Sequence, residues 1–460
     1  MIMQQPLHTH GLPREMGPFS AAILVVANMI GTGIFATPGF VMAELNHPAS
    51  FLLCWVAGGI FALCGALCYG ELGVRYPHAG GEYAYLREAF GKPMGFLSGW
   101  ISLIVGFSAP IAASAMAFAA YATGLFGTRT EPLWVLRVAG TPLATVSEQT
   151  VLASAVILCF TALHYHSLRM GTRVQNSLTL VKVGIIVCFV SAALWWGGGE
   201  TPPVFADQVP VELLPGKWAV SLIFVSFAYS GWNAAAYMGG EIRAPGRNLP
   251  LALISGTLLV MALYMALNTV FLIALGPEQM RGVIDVGTRA ATVLFGETAG
   301  RWMGGAISIG LLSVISAMIM TGPRVYFAMA QDGVFFQSLG RLDPRGRTPA
   351  RAILLQAGIA VAMVLTATFD QLLIYIGFTL SLSAMATVVG LVCLRTRHIP
   401  VNSGYRTLGY PLTPALFICG NAWIVAYTVG SRPAASLLGL ATIAAGLMVY
   451  GVFARRARRT

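Results

Sequence analysis

Twelve stretches of this chain are apolar over about the length that a helix needs to cross a lipid bilayer, and nothing else in the sequence restricts the fold as much. A spanning helix takes roughly 20 residues, and inside the hydrocarbon every backbone N–H and C=O must be satisfied within the protein. The stretches lie at 19–43, 50–74, 93–125, 150–167, 174–197, 216–240, 250–276, 302–330, 351–368, 371–394, 411–430 and 434–454. Charged residues make up 10% of the chain and apolar ones 57%. Soluble domains carry about 25% charge, so a water-facing surface of this size cannot be covered. The expected fold is an all-α polytopic membrane protein of twelve helices.

An even number of spans puts both termini on one side. Lys and Arg gather in the N-terminal tail, the alternate loops and the C-terminal run Arg455-Arg456-Ala457-Arg458-Arg459, which makes that side cytoplasmic and places the protein in a plasma or inner membrane. The net charge of +11 then reflects topology and lipid contact rather than nucleic acid. The seven cysteines all fall within apolar stretches, and neither a disulfide framework nor a metal or cofactor site is visible. Residues 75–92 combine a breaker cluster with an amphipathic pattern, which predicts an interfacial helix on the cytoplasmic face.

Two of the spans contain their own interruption. The first reads Asn28-Met29-Ile30-Gly31-Thr32-Gly33, and the sixth reads Phe227-Ala228-Tyr229-Ser230-Gly231-Trp232-Asn233. A break in mid-membrane survives only where it faces protein or a cavity. Breaks in the first and sixth spans, five helices apart, point to an inverted five-plus-five repeat with a substrate held between them at the midplane. The first repeat is then 19–197 and the second 216–396, flanked by a tail at 1–18, two further helices over 411–454 and a basic tail at 455–460. The N–H groups around Gly31, Thr32 and Gly33 would face an anion. The carbonyls at Met29 and from Phe227 through Ala228 to Ser230 present the opposite pole and suit an ammonium. One carboxylate acceptor beside one ammonium acceptor describes an α-amino acid head group.

IGTGIFATPG at 30–39, YPHAGGEYAYLREAFG at 76–91, FAYSGWN with GEIRAPGRNLP across 227–250, and GPRVYFAMAQDG at 322–333 together resemble the amino acid/polyamine/organocation transporters, close to the L-type amino acid transporter branch. The resemblance implies a LeuT-like fold and alternating-access secondary transport. It implies that Thr32 and Gly33, in the unwound stretch with Ile30 and Gly31, bind the substrate carboxylate. It also implies that the carbonyls of Met29, Phe227 and Ser230 bind the amine, and that the Phe227 ring is a gate.

Members that exchange arginine or polyamines carry an acid where this chain has Asn233, so the expected cargo is a neutral amino acid, with a cationic or polyamine antiporter as the alternative. Subunits that pair covalently with a glycoprotein carry a cysteine in the loop after the third helix. Residues 126–149 have none, so no disulfide-linked heavy subunit is expected.

Lys182 sits well inside the fifth span, where an ionisable residue costs about 2.5 to 3.5 kcal/mol and is functional by default. By the same resemblance its ammonium stands in for the sodium ion of sodium-coupled relatives, which makes it the coupling candidate and the transport sodium-independent. A membrane-embedded enzyme would need converging acids or nucleophiles. His164 and His166 fall on different helix faces, and Glu71 and Asp370 read as solvated helix ends. A channel would want a continuous lined pore instead of one closed site.

Overall fold

The computed structural model describes residues 14–126, 132–138, 141–196, 215–344, 348–397, 404–431 and 433–457. Most of the expected N-terminal tail and the end of the basic C-terminal run lie outside these residues, as does the side chain of Asp370.

Pro18, with its φ already helical and no N–H to lose, opens α1 (Pro18–Met29). After a two-residue break comes α2 (Thr32–Leu45), bent from α1 by 43°. Asn46, at φ 51°, ends α2 in the left-handed region that Asn tolerates. Then α3 (Pro48–Arg75) crosses back, and α4 (Glu82–Phe90) and α5 (Lys92–Ile101) follow. A wide π-type segment, Ser102–Ser108, joins α5 to α6 (Ala109–Phe126). Pro110 supplies a local reason: it has no N–H for the carbonyl one turn back, so the α ladder slips there.

A short antiparallel hairpin, β1 (Trp134–Val138) with β2 (Thr141–Val146), interrupts the otherwise helical chain and departs from the all-α expectation. Next come α7 (Glu148–His166), whose N-terminus is closed by reciprocal Ser147 and Thr150 bonds, and α8 (Leu168–Trp196). The sixth apolar run is split into α9 (Pro215–Tyr229) and the single turn α10 (Ala234–Tyr237). The remainder comprises α11 (Pro245–Met280), α12 (Val286–Phe295), α13 (Glu297–Thr321), α14 (Pro323–Gln331), α15 (Ala350–Thr366), α16 (Phe369–Thr396), α17 (Leu412–Ser431) and α18 (Pro433–Ala457).

Among the described residues nine helices are long and apolar enough to cross a membrane, and the bent pair α1–α2 makes a tenth if it is one span. This is a multi-pass membrane protein. Two of the twelve expected spans are short by that measure: α9 has 15 residues and α15 has 17.

The helix expected at 75–92 exists as α4, but it does not lie on the surface. Glu82, Tyr83, Ala84, Tyr85, Leu86 and Ala89 are all buried, and α4 packs against α5 and α16. Glu71 is a second correction. Rather than a solvated end it is fully buried and gathers Arg75, Arg395 and both donors of Thr407, which ties α3 to α16 and to the segment before α17. A third buried carboxylate, Glu241, takes Arg324 at 2.7 and 3.2 Å, and removing either partner would leave an uncompensated charge costing about 3 to 5 kcal/mol.

Candidate functional site

The two interruptions meet at the centre of the molecule. A Cβ on Gly33 would come within 2.5 Å of the Ala228 Cα, and one on Gly231 within 2.8 Å of the Asn28 backbone, so each break seats a glycine on the other's chain. Gly231 also has φ +99°, a conformation closed to most side chains. Glycine is therefore needed at both places by contact, and at Gly231 by backbone freedom as well.

At the end of α1 the last carbonyls have no intrahelical partner, and side chains from two other helices reach them. Lys182 of α8, buried, donates to Ala27 O at 3.1 Å and Ile30 O at 2.6 Å. Tyr264 of α11 shares its one hydroxyl hydrogen between Met29 O at 2.7 Å and Ala228 O at 2.9 Å, so a single phenol holds both interrupted helices. The second break is closed by its own backbone: Ser230 N–H donates to Phe227 O at 3.0 Å and Ala234 N–H to Gly231 O at 3.0 Å. Its side-chain tie is Asn233, whose Nδ2 donates to Glu82 Oε1 at 2.7 Å.

Two hollows that share the lining residues Phe227 and Ser230 lie against these ends. The smaller, about 30 Å³, is lined by Met29, Gly31, Thr32, Gly33, Ala228 and Ser230, so the unpaired first N–H groups of α2 stand at its edge. The larger, about 100 Å³, runs past Ser230 and Asn233 to Glu82 and Tyr237, with Gly106 and Phe107 of the π-type segment and Ser381 of α16 along its wall. Phe227 lines both. Of the residues singled out in the sequence, Ile30 lines neither hollow: it is fully buried and turns its carbonyl to Lys182. The carbonyls of Met29 and Phe227 each already hold one hydrogen bond, which leaves each a second lone pair.

Glu82 is the acid that the sequence did not single out. It is 4% exposed and accepts from Tyr69 at 2.8 Å, Asn233 at 2.7 Å and Ser383 at 2.8 Å, with Tyr237 as a further hydrogen-bond partner. Burial pushes its carboxyl above the ordinary range against the pull of those bonds. Tyr264 was missed as well. The only sequence signal for it is a phenol in mid-span, which must find a partner when buried.

The other candidates separate. His164 is buried on Ser316 at 2.9 Å, while His166 is exposed, so no pair of histidines forms. Asp332 pairs with Arg87 and accepts from Tyr83 at 2.5 Å. Among the described residues no group of three or more His, Cys, Asp or Glu could hold a metal ion.

The sequence profile described as amino acid permease matches residues 16–453. The serine/threonine exchanger SteT of Bacillus subtilis is 30% identical over 455 residues, covering 96% of this chain and 98% of that protein. The mouse b(0,+)-type amino acid transporter 1 is 29% identical over 463 residues, covering 97% and 89% respectively. The mouse Asc-type amino acid transporter 1 is 29% identical over 458 residues, covering 96% and 82%.

Proposed function

The chain belongs to the amino acid permease family, a family of transporters and not of enzymes, and from that premise we propose that it is a sodium-independent secondary transporter of neutral α-amino acids. It works as an exchanger or a proton-coupled permease by alternating access. The observation that carries this reading is the meeting of opposite helix ends on adjoining hollows that share Phe227 and Ser230: the first N–H groups of α2 at Thr32 and Gly33, and the carbonyl ends of α1 and α9. An α-carboxylate fits the first and an α-ammonium the second.

On this reading the chain forms a LeuT-like fold of twelve spans, with 19–197 and 216–396 as inverted repeats, both termini cytoplasmic and the protein in the cell membrane. Phe227, shared by both hollows, closes over the cargo. Lys182 occupies the place of a sodium ion, since it delivers one positive charge to two carbonyls at the first break. The absence of cysteine from 126–149 supports a transporter without a disulfide-linked heavy subunit.

Neutral cargo is supported by Asn233 and by the serine/threonine exchanger among the relatives. Cationic cargo is the second reading, favoured by Glu82 beside Asn233, but both Glu82 oxygens are already engaged by donors from the protein.

Counterflow in proteoliposomes tests this. Unlabelled alanine, serine, leucine or phenylalanine should compete better than arginine or putrescine, and replacing sodium by choline should change nothing. Stronger competition by putrescine, or a sodium requirement, would overturn it.

A further inference from the structure

Two glutamates, Glu71 and Glu82, are buried near the same end of α3 to similar depth, at 0% and 4% exposure, and their surroundings differ in kind. Glu71 is held by two guanidinium groups and by the N–H and hydroxyl of Thr407, so its negative charge is matched. Among the described residues Glu82 meets no cation. The groups facing it are Tyr69 of α3, Tyr85 of its own helix, Asn233 and Tyr237 at the second break and Ser383 of α16, with Thr387 behind Tyr69. All are neutral, and three of the partners that bond Glu82 are hydroxyls.

A hydroxyl can turn from donor to acceptor, whereas an ammonium, a guanidinium or an amide N–H cannot. Tyr237 Oη already accepts from Asn233 Nδ2 at 3.2 Å. The shell can therefore satisfy Glu82 as a carboxylate, through donors from Tyr69, Asn233 and Ser383, or as an acid, with Ser383 Oγ or Tyr237 Oη accepting the carboxyl proton. A lone carboxylate without a cation is costly away from water, and burial pushes the Glu82 carboxyl upward. Because Glu82 and Asn233 line the larger hollow, opening that hollow brings water to the carboxyl and removes the cost of ionisation.

We propose that Glu82 is a proton-binding site of the transport cycle, protonated while the hollow beside Asn233 is closed and releasing its proton from the carboxyl oxygen to water when the hollow opens. The cargo stays chemically unchanged, and one proton moves per cycle. This deepens the transporter reading and rests on it, since it makes the coupled ion a proton.

The test uses the full chain with serine as probe. In proteoliposomes holding a trapped pH-sensitive dye, an acid-outside gradient should drive serine accumulation in the wild type, with proton entry. In Glu82→Gln proton entry should vanish, and gradient-driven accumulation should fall by about tenfold more than serine–serine counterflow. Glu82→Asp should restore part of both. Infrared difference spectra of the purified protein should contain a carboxylic-acid C=O band at neutral pH that is absent from Glu82→Gln, a readout independent of any cargo. That band without serine movement supports the proton site and sinks the cargo assignment. Serine counterflow with neither proton entry nor the band overturns the proposal. So does a Glu82→Gln protein that keeps proton entry and loses only inhibition by arginine, since Glu82 would then hold a cargo cation.

Discussion

The break after Met29 and the break after Tyr229 face the same backbone problem and meet it in different ways. At the first, the freed carbonyls are taken up from outside, by Lys182 from α8 and Tyr264 from α11, so the geometry of the break depends on helices remote in sequence. At the second, the turn closes on itself through the bonds of Ser230 to Phe227 and Ala234 to Gly231, and its outside ties are the same Tyr264 hydroxyl on Ala228 O and a side chain, Asn233 on Glu82. The first break is therefore held by the Lys182 amine as well as by the shared phenol, and the second by that phenol and a neutral network around an acid. An amine tied to two backbone carbonyls has few other partners to turn to, while a network of hydroxyls can exchange donor and acceptor roles. On the proposed transport reading, the first suits a part that must hold its shape around a cargo head group, the second a part that changes state.

Substitutions that separate the two breaks can sharpen or destroy this contrast. The largest effect is expected where they touch. Gly231→Val places a Cβ against the Asn28 backbone, and the positive φ alone costs about 1 to 3 kcal/mol. Substrate binding measured by thermal shift should disappear while the protein still inserts; wild-type binding in this variant would mean that the breaks do not need to meet.

Next is Lys182→Ala, expected to cut uptake at least about tenfold, or 1.4 kcal/mol. The same variant should leave the protonated-carboxyl signal of Glu82 in place, because the Lys182 bonds go to carbonyls of the first break. Unimpaired uptake would remove Lys182 from the mechanism.

The smallest is Tyr264→Phe, which takes one shared hydroxyl from Met29 and Ala228. A loss of about 1 kcal/mol, roughly fivefold in uptake, is expected. If Lys182→Ala and Tyr264→Phe cost as much together as the larger alone, they act on one element; simple additivity would show that the first break is not a unit.

Much of this was legible in the sequence because lipid acts on every residue locally. A chain that crosses hydrocarbon must keep its spans apolar, so their places could be read along the chain, and a helix that stops in mid-membrane must show the glycines that let it, at Gly31, Gly33 and Gly231. Lys182 stood out for the same reason, as a charge where charge is expensive. What the sequence could not determine is which side chains face one another. The sequence marks Glu71 as a solvated helix end and does not single out Glu82, yet both are buried. Only the packing of α16 set Arg395 against Glu71 and Ser383 against Glu82, bringing together residues more than 300 positions apart. Likewise, α4 has an amphipathic pattern suited to a membrane surface and yet lies inside the protein. Periodicity states which face of a helix is apolar, but not what will cover it. That is decided by the rotation and depth at which helices dock, and through these the tertiary structure gave one glutamate two cations and the other a ring of hydroxyls.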